Sequence, residues 1–154
     1  MIIKSSAFKI FYFGWYLSKL DTDIKIINNY INVPDVTFNP NNKDWWVPLI
    51  QKLGVEKDFI YCYPNECSRE NILDFLVKDL NNNNSLLNKL YSIKEYSNGT
   101  LPIDVYNQIH QSIEYIKNLP NEQILDSFSL ILEQIQKDIN SVIGNIAINT
   151  KYMY

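Results

Sequence analysis

The sequence predicts a mainly α fold: a single-domain helical bundle over residues 1–154, with about six helices and room for one or two short strands near residues 59–63. Three observations predict it. Glycine and proline are scarce, 4 and 6 in 154 residues, whereas sandwiches and barrels need turn residues at frequent intervals. Apolar residues in the C-terminal half recur at spacings of three and four, the period of a helix face rather than of a strand. A hydrophobic content of 46% with 20% charge belongs to a folded chain, and this length suits one domain.

The segment Ala7–Leu20 is apolar almost all round. Its length suits a buried helix and its aromatics suit a buried strand, with helix favoured although Gly14 weakens one by about 1 kcal/mol relative to alanine. Asp21 and Thr22 are placed to cap a second helix, with Ile24, Ile27 and Ile31 on one face and Pro34 preventing its continuation. Val33–Lys43 reads as a loop. Asp44 is placed to cap a helix over Trp45–Leu53, with Pro48 in or just after the first turn, where a missing N–H costs least, and Gly54 as its stop. Phe59–Tyr63 is the best strand candidate, short and aromatic, ended by Pro64.

Ser68 is a cap for the next helix, with Glu70 in its first turn and Ile72, Leu73, Leu76, Val77 and Leu80 as its stripe. The low-complexity run Asn81–Asn84 closes it. Leu86, Leu87, Leu90 and Tyr91 mark a short helix ending near Asn98-Gly99. Thr100 is a cap candidate and Pro102 a first-turn residue for a helix with Ile103, Tyr106, Ile109, Ile113 and Ile116 on one face. After Pro120-Asn121, a final helix carries Ile124, Phe128, Ile131, Ile135, Ile139, Val142 and Ile146. The short connection predicts that these last two helices pack antiparallel.

Charge and composition narrow the function classes. Net charge is −3, and the bases are scattered rather than gathered into a stripe, so direct nucleic-acid contact is not expected. Residues 1–94 carry 11 Lys/Arg against 10 Asp/Glu, while residues 95–154 carry 3 against 7. An acidic C-terminal third is suited to steering a basic partner. At the N-terminus Lys9 interrupts the apolar stretch and no small-residue cleavage site follows. Phe11–Leu17 is too short to span a bilayer. That stretch is read as core, with a cytoplasmic location and no membrane partner expected.

Motifs for chemistry are sparse. Cys62 and Cys67, with four residues between them, lack the second pair or nearby histidine that structural zinc needs, and read as free thiols, with a single bridge as the alternative; no metal or cofactor is expected. His110 is the only histidine and sits at the edge of an apolar stripe, the position of a packing residue. Any Cys–His catalysis must use it. The close carboxylates Glu66/Glu70 and Asp21/Asp23 fall where helix N-termini favour negative charge. No glycine-rich phosphate loop occurs.

Two surfaces remain as partner-binding candidates. Trp45 and Trp46 point about 100° apart on a helix, so that one enters the core while the other lies at its edge, beside Tyr61 and Tyr63. On the last helix Glu122, Asp126 and Glu133 lie roughly opposite the apolar stripe, with Asp138 on the flank and only Lys137 in compensation.

In size, acidity and absence of catalytic motifs the chain resembles the immunity proteins of bacterial polymorphic toxin systems, such as contact-dependent growth inhibition. The resemblance implies a non-catalytic, cytoplasmic inhibitor that binds a cognate toxin domain one-to-one, a nuclease among the candidates. Its acidic residues would meet toxin lysines and arginines, and its aromatics would anchor the contact. Two other readings fit the same residues: a phage or mobile-element accessory protein that binds a host protein, and an enzyme of unfamiliar type centred on His110.

Overall fold

The computed structural model describes residues 2–31, 43–64 and 69–151. Among these it has eight α-helices and no strand: α1 (Ile2–Ile31), α2 (Lys43–Lys52), α3 (Glu56–Cys62), α4 (Arg69–Val77), α5 (Leu86–Ser97), α6 (Ile103–Lys117), α7 (Asn121–Asp126) and α8 (Phe128–Lys151). The mainly α class holds, with more helices than the sequence suggests.

Four long helices form the frame. α1 packs on α5 and α8, and α6 closes the ring between α5 and α8. Polar contacts give the directions. Ser112 meets Asp138 while Gln108 meets Ser141, so α6 and α8 run antiparallel, as their short connection predicts. Tyr12 stacks on Tyr96 while Asp23 meets Lys89, so α1 and α5 are antiparallel too. The short helices cover the remaining faces: α2 touches α1, α3 and α4, and α4 touches α5 and α7. One buried apolar cluster runs from Phe13 in α1 to Val142 in α8. No helix among the described residues is long and apolar enough to cross a membrane.

α1 differs from the sequence reading in two ways. It does not stop at Asp21-Thr22 but continues as one helix of 30 residues. Phe13, Leu17, Leu20, Ile24 and Ile27 are all buried at alternating spacings of four and three, so a single stripe passes straight through the expected cap. Asp21 pairs instead with Lys25 one turn on, at 2.8 Å, and accepts a hydrogen bond from Gln136 of α8. The second difference is burial. The N-terminal stretch is core on one face only: Phe8, Ile10, Phe11 and Trp15 are exposed.

The loop expected over Val33–Lys43 lies outside the described residues except for Lys43, which begins α2. Pro48 therefore falls beyond the first turn, on the exposed side. α2 ends as expected at Gly54, whose φ of 72° suits glycine. Gly54 N–H donates to Gln51 and Val55 N–H to Ile50, the paired bonds that close a helix C-terminus.

The strand expected at Phe59–Tyr63 is a helix. Phe59 is buried and Tyr63 half-buried, whereas Tyr61 is 88% exposed, which is a spacing of four and not of two. Glu56 and Asp58 occupy the first turn of α3, favourable at the positive end of a helix. No second strand exists among the described residues to pair with this segment, and an unpaired strand would leave its backbone groups unsatisfied.

The cap expected at Ser68 lies outside the described residues. Thr100 does not cap α6: its hydroxyl donates to Tyr96 O at 2.8 Å, closing α5, and Pro102 occupies the N-cap position. The final helix is two helices, broken at Ser127.

Candidate functional site

The asparagine run is an ordered loop rather than a featureless patch. Asp79 Oδ1 accepts from Asn81 N–H, and Asn82 Oδ1 accepts from Asn84 N–H. These are side-chain turns that asparagine and aspartate favour. Asn82 is buried and its amide donates to Phe75 O at 2.8 Å. Asn88 reaches back from α5 to donate to Leu80 O and Asn82 O. Ser85 caps α5, accepting from Asn88 N–H at 3.1 Å.

This loop walls two clefts. On one side, Lys89 of α5 is 2% exposed and donates to Asp23 of α1 and to Asn84 O. Burial pushes its ammonium down to about 8, and the charge of Lys19 acts in the same direction. The space beside the pair is only about 60 Å³, and apolar residues such as Ile27, Leu76 and Leu86 make up half of its lining. The pair therefore acts as a polar clamp between α1 and α5.

On the other side an open cleft of about 760 Å³ is lined by Asp58, Cys62, Tyr63, Asp74, Asp79 and the loop asparagines. Tyr63 donates to Asp74 at 3.2 Å and lies 3.4 Å from Asp79. Burial and those two carboxylates hold its phenol well above the usual tyrosine range. Burial, with Asp79 and Asp58, also pushes the Cys62 thiol up, away from the thiolate a nucleophile requires. No histidine lines this cleft. His110 lies on the exposed side of α6, with Nδ1 at 2.9 Å from Lys94 Nζ. An ammonium there uses the ring nitrogen as an acceptor. Cys67 lies outside the described residues, and among those described no group of three or more His, Cys, Asp or Glu is arranged to hold a metal ion.

The acidic residues picked out from the sequence do not form one face. Glu122 belongs to α7 and lines a separate hollow beside Glu70 and Leu73. The side chain of Asp126 lies outside those described. Glu133 is well exposed on α8 and 3.8 Å from Lys137, an exposed pair worth little. Asp138 is the one that is built in. It sits in an open groove of about 510 Å³ between α6 and α8, lined also by Gln111, Ser112, Tyr115 and Gln134. Ser112 donates to its Oδ2 at 2.8 Å and Gln134 to its Oδ1 at 3.0 Å.

Of the two tryptophans, Trp46 is 1% exposed in the core and is corrected as a surface candidate; the side chain of Trp45 lies outside those described. Sequence reasoning missed the aromatic face of α1, where Tyr12 and Tyr16 stack on Tyr96 at 5.6 and 5.7 Å and leave Phe11 and Trp15 outward. The signal was present: Phe8, Phe11 and Trp15 recur at helical spacing beside the core stripe.

Comparison with known proteins gives a family. No curated protein and no solved structure matches the chain. A family model, Alpha-E, described as a predicted alpha-helical domain with a conserved ER motif, matches residues 5–149. The chain's one arginine, Arg69, follows Ser68 and precedes Glu70, so no Glu-Arg dipeptide occurs in it. The match runs from α1 into α8, and the chain belongs to the Alpha-E family of α-helical domains.

Proposed function

We propose that the protein acts by binding rather than by catalysis, as a stoichiometric inhibitor of the immunity type that docks on a basic domain of a cognate toxin. The observation that carries this reading is Asp138. Its carboxylate is fixed by Ser112 and Gln134 in an open groove, and among the described residues no lysine or arginine pairs with it within 4.0 Å. Each oxygen keeps a free lone pair, which is what a bidentate arginine or a lysine uses. Glu133, five residues before Asp138 on α8 and outside the groove, is exposed with only weak compensation from Lys137. The acidic balance of residues 95–154 draws a basic surface towards the groove and speeds encounter. A toxin surface that handles phosphate is basic for its own purposes, so such a nuclease is the natural match.

The test is affinity capture of the tagged protein from its native host, followed by titration of the captured partner with wild type, Asp138→Lys and Glu133→Lys. The expected result is a one-to-one complex that Asp138→Lys weakens by about a hundredfold, the loss seen when a buried charge contact is reversed. Glu133→Lys acts mainly on the association rate. Equal affinity of all three proteins for that partner, with the folds intact by circular dichroism, overturns the reading.

A further inference from the structure

We propose that the outer face of α1 docks on an anionic lipid surface, a site separate from the groove between α6 and α8 and independent of the immunity reading. α1 carries two apolar stripes. One is the core stripe from Phe13 to Ile27. The other faces outward, with no second helix laid over it among the described residues: Phe8, Ile10, Phe11 and Trp15 are 53%, 50%, 63% and 44% exposed. The stripe is held rigidly from behind. Phe8 packs on Tyr12 at 4.5 Å, Trp15 packs on Tyr16 at 4.9 Å, and both tyrosines stack on Tyr96 of α5. The exposed residues between these rings are Ala7, Gly14 and Ser18, all small and uncharged.

Along α1 itself the charge beside the stripe has one sign, and the acid nearest to it is Glu95 of α5, exposed next to Tyr96. No aspartate or glutamate occurs from Met1 to Leu20, which contain Lys4, Lys9 and Lys19, although the whole chain is −3. Lys9 donates to Asn98 O at 3.3 Å, and Lys19 Nζ lies 4.8 Å from the centre of the Trp15 ring. Phenylalanines at the centre, a tryptophan and tyrosines at the flank, and lysines at the rim are the composition of a helix that lies in the plane of a bilayer interface. From Phe8 to Trp15 the stripe extends about 10 Å along the axis, short enough to insert side chains without drawing the domain into the lipid. Two alternatives fit less well. With roughly half the surface of each large side chain outward, the stripe offers on the order of 400 Å², about half of what one partner gives to a standard protein interface. A second copy would also bring lysine rims against one another.

The experiment is sedimentation of the full chain with large unilamellar vesicles, of phosphatidylcholine alone and of phosphatidylcholine with phosphatidylglycerol. The wild type is expected to sediment with the anionic vesicles at low salt and to be released from them by 0.5 M salt, where the Debye length falls to about 4 Å. Phe11→Ser/Trp15→Ser is expected to bind them about tenfold more weakly, and Asp138→Lys no more weakly than wild type. Because a surface variant can also disturb the fold, a second readout uses the wild type: lipids brominated near the headgroup quench the Trp15 part of the fluorescence, and Trp15→Phe removes that quenching. Failure of the wild type to bind anionic vesicles overturns the proposal. So does equal binding by Phe11→Ser/Trp15→Ser, or a stripe-dependent doubling of mass in light scattering without vesicle binding, which would assign the face to a second copy.

Discussion

Tyr63 shows how a single side chain ties stability to pH. Its hydroxyl donates to Asp74 and faces Asp79, and its pKa is raised by burial and by those carboxylates. In the unfolded chain a tyrosine ionises near about 10. A group whose folded pKa is raised contributes stability that is complete below the unfolded pKa and is lost as pH climbs through the folded one. Urea midpoints of wild type are therefore expected to fall faster above pH about 10 than those of Tyr63→Phe, while at neutral pH the variant is weaker by about 1 kcal/mol. Tyr96 is also raised by burial, but it is common to both proteins and cancels in the difference. Lys89 makes the stronger demand. Lys89→Met leaves Asp23 without its partner and is expected to lose about 3 kcal/mol in urea unfolding, whereas Lys89→Met/Asp23→Leu, with no charge left in the interior, recovers part of that loss. Neither role was legible in the sequence, because Asp23 and Lys89 are 66 positions apart and nothing local marks a lysine as buried. Trp46 shows the opposite: two adjacent tryptophans on a helix already pointed to a core place for one of them, and Trp46 is in the core.

At the scale of elements, legibility followed periodicity. The body of α6 was legible because its buried residues Ile109, Ile113 and Ile116 recur over several turns, and the helical stripe of α8 for the same reason; the first turn of α6 was not, since Ile103 is exposed and Val105 is buried in its place. The break at Ser127 was invisible because it leaves Ile124 and Phe128 both buried, so the apolar spacing passes over it unchanged. The supposed cap at Asp21-Thr22 failed for a related reason: capping residues end a helix only where no apolar stripe continues beyond them, and Ile24 and Ile27 continue it. α3 is too short for periodicity to distinguish helix from strand; its shortness, its apolar and aromatic content and the following Pro64 suggested a strand. The asparagine run was the largest gap. Side-chain turns need a particular geometry, and composition cannot distinguish an ordered asparagine loop from a solvated one. Ser85 at its end now carries a definite expectation. Ser85→Ala removes the acceptor for Asn88 N–H and is expected to cost about 1 kcal/mol, read as a lowered urea midpoint.

For the molecule as a whole, the fold class was legible from composition and spacing, but the working surfaces were not. Which face of a helix remains uncovered depends on what the other helices reach, and that is a property of the assembled ring. α1 is packed by α5, α8 and α2, none of which covers Phe11 and Trp15. α6 and α8 lie far enough apart at Asp138 to leave a groove. The central claim is that this groove receives a basic partner. Its most direct test places a photo-crosslinking phenylalanine derivative at Gln111, which lines the groove, and a second at Tyr61, exposed on α3, and irradiates each protein with the captured partner. The account predicts a covalent product from position 111 and none from position 61. A product from position 61 alone, with the complex otherwise intact, would contradict it.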